Sequence, residues 1–217
     1  MALSIQNTAN GGFVNSVTSQ TVAFNVGSGT DRYLVVGFMA SQSVSSVTYA
    51  GNSMTQINTV TSPGGVPIYF YGLVNPTSGS NNVVITIGSS GYIGSIFISF
   101  NNADQATPID VSSSETSTAS NTVSTAITTV TDGTYTVAFW RDDSGRTVTS
   151  NGAGTTMVYS SGGTGYHMAR STNPKSPAGA TTLDGIAATS TPTWGALIIA
   201  IRPAGLSSVN SNFLMFM

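Results

Sequence analysis

Cysteine is absent, which excludes a disulfide framework and any cysteine-ligated zinc site. Charge is scarce as well. Asp, Glu, Lys and Arg make up 6% of the 217 residues, against roughly 25% in an average soluble domain. The basic residues are one lysine, Lys175, and five scattered arginines, Arg32, Arg141, Arg146, Arg170 and Arg202, and the net charge is −2. A phosphate backbone needs a cluster of cations, so no nucleic-acid partner is expected. Histidine occurs once, at His167, and glutamate once, at Glu115. No apolar stretch approaches the roughly 20 residues of a membrane helix. The opening Met1-Ala2-Leu3-Ser4-Ile5-Gln6-Asn7 has neither the basic nor the apolar region of a secretory signal. The expectation is a protein with no membrane partner, kept in the cytoplasm or released by lysis. Amphipathic 3.6-residue periodicity is missing and Gly or Pro interrupts nearly every window, so no long helix is expected. No repeat of solenoid or propeller period is visible.

What is present is alternation. The apolar fraction is 40%, enough for a core, while Ser, Thr, Asn and Gly replace charge. Thr21 to Val26 alternates and stops at Gly27-Ser28-Gly29. Strands are predicted at Arg32–Ala40, Ser46–Ala50, Ser53–Asn58, Val66–Val74, Asn82–Ile87 and Tyr92–Phe100, then at Asn121–Thr128, Thr134–Arg141 and Trp194–Arg202. Weaker ones are expected at Thr156–Ser160 and Gly165–Arg170. Gly51-Asn52 and Asp132-Gly133 read as turns. About a dozen short strands with frequent turn signals predict an all-β fold of two packed sheets. The expected organisation is one jelly-roll-type antiparallel β-sandwich over residues 1–204, with an extended tail over 205–217. The polar stretch Asn102 to Ala119 reads as a long crossover loop.

An ordered set of phrases spans Val22 to Ala204. They are Asp31-Arg32-Tyr33-Leu34-Val35-Val36-Gly37, Val47-Thr48-Tyr49-Ala50-Gly51-Asn52, Tyr71-Gly72-Leu73-Val74-Asn75-Pro76, Phe100 to Ile109, and Trp194 to Pro203. In these the chain resembles a broad family of phage and bacterial β-sandwich domains of concanavalin-like jelly-roll appearance. The resemblance implies non-enzymatic modules, as in phage virion structural proteins and bacterial surface proteins. It bears on fold more than on function.

Residues able to do chemistry are few. A Ser-His-Asp triad would have to use His167, and the chain has no Gly-x-Ser-x-Gly elbow. A strand or loop histidine with a local hydrogen bond is the simpler reading. Glycoside hydrolysis needs paired carboxylates, and the lone Glu115 is expected in a Ser/Thr-rich loop. Arg141-Asp142-Asp143-Ser144-Gly145-Arg146 is the one dense charge cluster. Arg141, Asp142, Asp143 and Arg146 form a candidate loop ligand site, with a turn held by mutual ion pairs as the simpler alternative. The aromatic residues fall within strand patterns and read as core more readily than as a sugar platform. No catalytic residue, cofactor or metal is expected. The tail ends in five large apolar residues, Phe213, Leu214, Met215, Phe216 and Met217. Exposed, such a run is an aggregation liability, so it reads either as covered by its own domain or as a docking peptide for a neighbouring subunit.

These readings lead to the expectation of a non-enzymatic bacteriophage virion protein, assembled in the host cytoplasm. It would be a capsid decoration (cement) protein or a head or tail fibre component. Its expected partners are other virion proteins, such as capsid or tail subunits, and further copies of itself, a trimer being the expected oligomer. The alternative is a carbohydrate-binding or host-adhesion module with a host glycan as ligand.

Overall fold

A strand buried on one face alternates in sequence, whereas one buried on both faces reads as a continuous apolar run. Four segments of the second kind, in Arg32–Ala40, Tyr92–Phe100, Thr134–Arg141 and Trp194–Arg202, therefore need cover on both sides. The computed structural model describes residues 1–117, 120–187 and 192–205 and shows how they obtain it. Its first half contains β1 (Ser4–Val26), β2 (Tyr33–Ala40), β3 (Val44–Tyr49), β4 (Asn52–Ser53), β5 (Thr55–Thr61), β6 (Pro67–Val74) and β7 (Gly79–Asn101). The second contains β8 (Ile109–Ser117), β9 (Thr122–Thr128), β10 (Tyr135–Asp142), β11 (Val148–Ser150), β12 (Thr155–Ser160), β13 (Tyr166–Ser171), β14 (Ala180–Ala187) and β15 (Trp194–Ile201). All named pairings are antiparallel, and no helix occurs among the described residues.

The chain forms an all-β antiparallel sandwich, and it forms it twice. In the first half β1 and β7 pair along their whole length and bend together, with register shifts on β1 between Val14 and Ser19. Before the bend β7 carries β3, and after it β2, followed by β6 and β5. The sheet thus folds over, and its two parts enclose Leu34, Val36, Phe38, Val47, Tyr49, Val83, Ile85 and Phe97. The second half repeats this wiring with the long strands cut in two. β8 pairs with β15, β9 with β14, β10 with both β15 and β13, β12 with β13, and β11 with β14. In each half the first and last segments pair, then the next pair inward, which is the nested pairing of a jelly roll. Sequence landmarks follow the same duplication. Tyr33-Leu34-Val35-Val36-Gly37-Phe38 corresponds to Tyr135-Thr136-Val137-Ala138-Phe139-Trp140, and Asn75-Pro76 to Asn173-Pro174.

The two jelly rolls stack through their larger sheets. Tyr33, Val35, Met39, Ile68, Phe70, Ile96, Ile98 and Phe100 meet Val137, Phe139, Tyr166, Met168, Leu197 and Ile199 in one buried cluster. β5 lies against β8 as β12 lies against β1, so the packing has pseudo-twofold symmetry. The ends of β7 and β15 confirm it: Asp104 N–H donates to Arg202 O at 3.0 Å and Ala204 N–H to Asn102 O at 2.7 Å. The outer face of the second large sheet holds Ala138, Trp140, Trp194 and Ile198, covered by Val123, Val148 and Leu183 of the three-stranded sheet. Four layers result, where sequence patterning predicts two. Their stacking is what buries both faces of β2, β10 and β15.

Other differences concern polar segments. The stretch expected as a crossover loop contains strand β8, which pairs with β15. β1 begins at Ser4, well before the alternation at Thr21. The hairpin after β3 turns at Ala50-Gly51, both with positive φ (50° and 78°), one residue earlier than expected. Asp132-Gly133 does form a turn, but β9 and β10 on either side of it belong to different sheets.

Candidate functional site

The charge cluster leaves the end of β10 and turns on itself. The Asp142 side chain is fully buried. It accepts the Ser144 N–H at 2.6 Å and the Arg146 N–H, so it caps its own loop. Asp143 reaches across to the other jelly roll. Its carboxylate accepts the Ser62 hydroxyl at 2.7 Å and the Gly64 N–H at 2.8 Å, both from the turn between β5 and β6. It also accepts the Thr193 hydroxyl at 2.8 Å. Arg141 donates to the Thr164 and Gly165 carbonyls and stands 3.9 Å from Asp143. Arg146 keeps its Nε buried without a hydrogen-bond partner. These four residues come together, but their carboxylates are engaged in closing a loop and latching the halves. Among the described residues no group of three or more His, Asp or Glu side chains is arranged to hold a metal ion.

His167 lies on β13 opposite Trp140 of β10, the place Tyr69 takes opposite Phe38 in the first jelly roll. It is fully buried, beside Trp194. Ser160 Oγ is 3.1 Å from Nδ1, and Asp142 Oδ2 is 4.0 Å from Nε2. A serine, a histidine and an aspartate thus meet in the core of the second jelly roll. Val148 N–H donates to Ser160 Oγ at 2.7 Å, and His167 Nε2 is buried without a hydrogen-bond partner among the described residues. The imidazole is fully buried in the core of the second jelly roll. Sequence reasoning picked His167 but neither Ser160 nor Asp142 as its neighbours. Their proximity depends on the β12–β13 pairing and on the loop after β10.

Burial, with the Arg141 guanidinium nearby, pushes the His167 pKa down from 6.5 to about 3. The unfolded chain therefore binds one more proton than the folded chain between these values. Stability is predicted to fall as pH drops from about 6.5 toward about 3, by up to about 1.4 kcal/mol per pH unit for this group. Above that window the contribution is constant. NMR of the single imidazole checks this: it stays neutral in the folded chain at pH 5, and a ring titrating near 6.5 contradicts the buried assignment.

Comparison with protein-family models, with curated proteins and with solved structures gives no match. Function must be read from the surface of this chain. Glu115 projects from β8 into a groove of about 360 Å³ shared with Ser117, Thr122, Ser124 and Trp194, where it is the one carboxylate. Burial raises its pKa, partly offset by the Thr125 hydroxyl.

A larger groove, about 610 Å³, runs between the free edge of β5 in the first jelly roll and β8 in the second. Tyr33 lies at its base, 3% exposed, with Gly72 beneath the phenol: a Cβ there would stand 2.0 Å from the hydroxyl. Gln56, Gln105, Ser53, Thr55 and Ser112 supply polar groups, and Ile57, Leu73, Val74, Pro108 and Ile109 supply apolar surface. No charged side chain lines it.

β1 offers a different kind of site. Among the described residues it is hydrogen-bonded to β7 alone, although β12 packs against it. Its 23 residues contain no Lys, Arg, Asp, Glu or Pro. Near the bend its carbonyls are capped, those of Gly11 and Gly12 by Gln20 Nε2 at 3.0 Å each. From Ser19 to Val26 the ladder with β7 runs without a register shift. The candidate docking residues Phe213, Leu214, Met215, Phe216 and Met217 lie outside the described residues.

Proposed function

We propose that the chain is a bacteriophage virion structural protein, a capsid decoration (cement) protein or a head or tail fibre component, that acts by protein–protein assembly. The observation that supports this reading best is the β1 edge. An unpaired strand edge is a template for another chain, and soluble proteins usually blunt such edges with charge or proline. β1 has neither over 23 residues, and its outer stretch is regular. A neutral Ser/Thr/Asn surface adds little repulsion between copies. The apolar tail Phe213–Met217 gives a second assembly element, and several weak contacts acting together raise avidity. Partners on this reading are further copies of the chain and other virion proteins.

Sedimentation velocity tests it. Thr21 and Ala23 are exposed on the regular part of β1, so Thr21→Lys combined with Ala23→Lys places two charges on the edge without touching the core. The parent chain is expected to sediment as an oligomer and the variant as a smaller species with an unchanged circular dichroism spectrum. Equal sedimentation of the two removes the β1 edge from the assembly.

A further inference from the structure

We infer that the groove between β5 and β8 is a binding site for a neutral saccharide. This goes beyond the assembly reading and stands independently of it, because the groove and the β1 edge are separate surfaces. Its volume of about 610 Å³ lies within the roughly 300–1,000 Å³ of small-ligand sites. The lining selects the ligand class. With no charged side chain in the groove, an ionised ligand would lose hydration without gaining a counter-ion. A purely apolar ligand would strip water from Gln105, Thr55 and Ser112 without replacing their hydrogen bonds. A pyranose ring carries an apolar C–H face and a rim of hydroxyls. It can lie on Ile57 and Ile109 while its hydroxyls meet the amides and side-chain hydroxyls.

The decisive feature is Tyr33. Its residue is 97% buried, it lines the groove, and no hydrogen bond to its hydroxyl is present among the described residues. Burial raises the phenol pKa, so the group stays a protonated donor. The ring is buried while the hydroxyl itself still meets solvent in the groove, where it is a donor free for a ligand. Here Gly72 leaves room for the hydroxyl at the groove floor, where a sugar oxygen would complete it. Gln105 is pre-positioned, its Nε2 donating to Ala103 O at 2.9 Å and Arg32 O at 3.2 Å. That leaves its carbonyl oxygen to accept from a ligand.

The test is an NMR titration of the ¹⁵N-labelled full chain with maltohexaose, cellohexaose and mannohexaose, with oligogalacturonate as the charged control. Saturable shifts with at least one neutral hexasaccharide, centred on Tyr33, Gln56, Gln105 and Ser112, and none with the control, are expected. Tyr33→Phe should weaken that binding roughly three- to ten-fold while leaving the free chain's spectrum otherwise intact. Ser112→Trp, at an exposed position on β8, fills the groove and should abolish binding. The inference is overturned if none of the three sugars binds saturably, if the shifts lie elsewhere, or if the charged control binds as well. It is equally overturned if removing residues 206–217 shifts the groove resonances of the free chain, which would make the tail the occupant.

Discussion

Trp140→Ala is expected to lower the unfolding free energy by about 3–5 kcal/mol, the range for deleting a large buried aromatic side chain. Trp140 is fully buried between the second large sheet and its three-stranded cover. Its indole N–H donates to Thr125 Oγ1 at 2.8 Å, tying β10 to β9 of the opposing sheet. The ring also fills space left by a glycine: a Cβ at Gly185 would come within 2.7 Å of it. No nearby chain can collapse into the vacancy without moving the cover sheet. Domains are marginally stable, at about 5–15 kcal/mol, so this change alone brings the chain near its unfolding threshold. Urea denaturation of variant and parent measures it, and a loss under about 1 kcal/mol would mean that the cover sheet is not closely packed on β10.

Gly37→Phe addresses the interface between the jelly rolls. Gly37 and Phe139 hold equivalent positions on β2 and β10, and they face each other in the stack. A Cβ on Gly37 would lie 2.6 Å from the Phe139 ring, 2.8 Å from Met168 Cε and 3.0 Å from the Phe70 ring. Near a pseudo-twofold axis two large residues collide and two small ones leave a void, so one repeat carries the knob and the other the hole. Gly37→Phe alone is expected to cost about 1–3 kcal/mol or more by overpacking. Phe139→Gly alone is expected to cost at least the roughly 3–5 kcal/mol of a Phe→Ala truncation. The double variant moves the knob to the other repeat. It should lose less than the sum of the singles, by about 0.5–3 kcal/mol of coupling. Strict additivity would contradict this account of the interface.

The same pair explains why the duplication is hard to read in the sequence. Equivalent positions face different neighbours, so Gly37 matches Phe139, Tyr69 matches His167 and Gly72 matches Arg170. The continuous apolar runs of β2, β10 and β15 revealed strands buried on both faces, yet patterning alone does not say what covers them. β8 and the first part of β1 escaped notice because Ser, Thr, Asn and Gly dominate them and neither holds a fully buried residue, and β14 because its buried face is only Leu183, Gly185 and Ala187. The site was legible in pieces. His167 and the Arg141–Arg146 cluster stand out in a chain with so few titratable groups. Their partners Ser160, Ser62 and Thr193 do not, because tertiary contacts between the repeats and neighbouring strands select them. The groove over Tyr33 joins residues from β2, β5, β6 and β8, a juxtaposition no local pattern encodes.

Assembly through protein–protein contacts is tested most directly by the solution mass of the full chain, measured by light scattering across a range of protein concentrations. The account predicts a defined multiple of the 22.2 kDa chain mass, falling to smaller species when the chain ends at Ala204. A mass of one chain at every concentration, unchanged by that truncation, would contradict it.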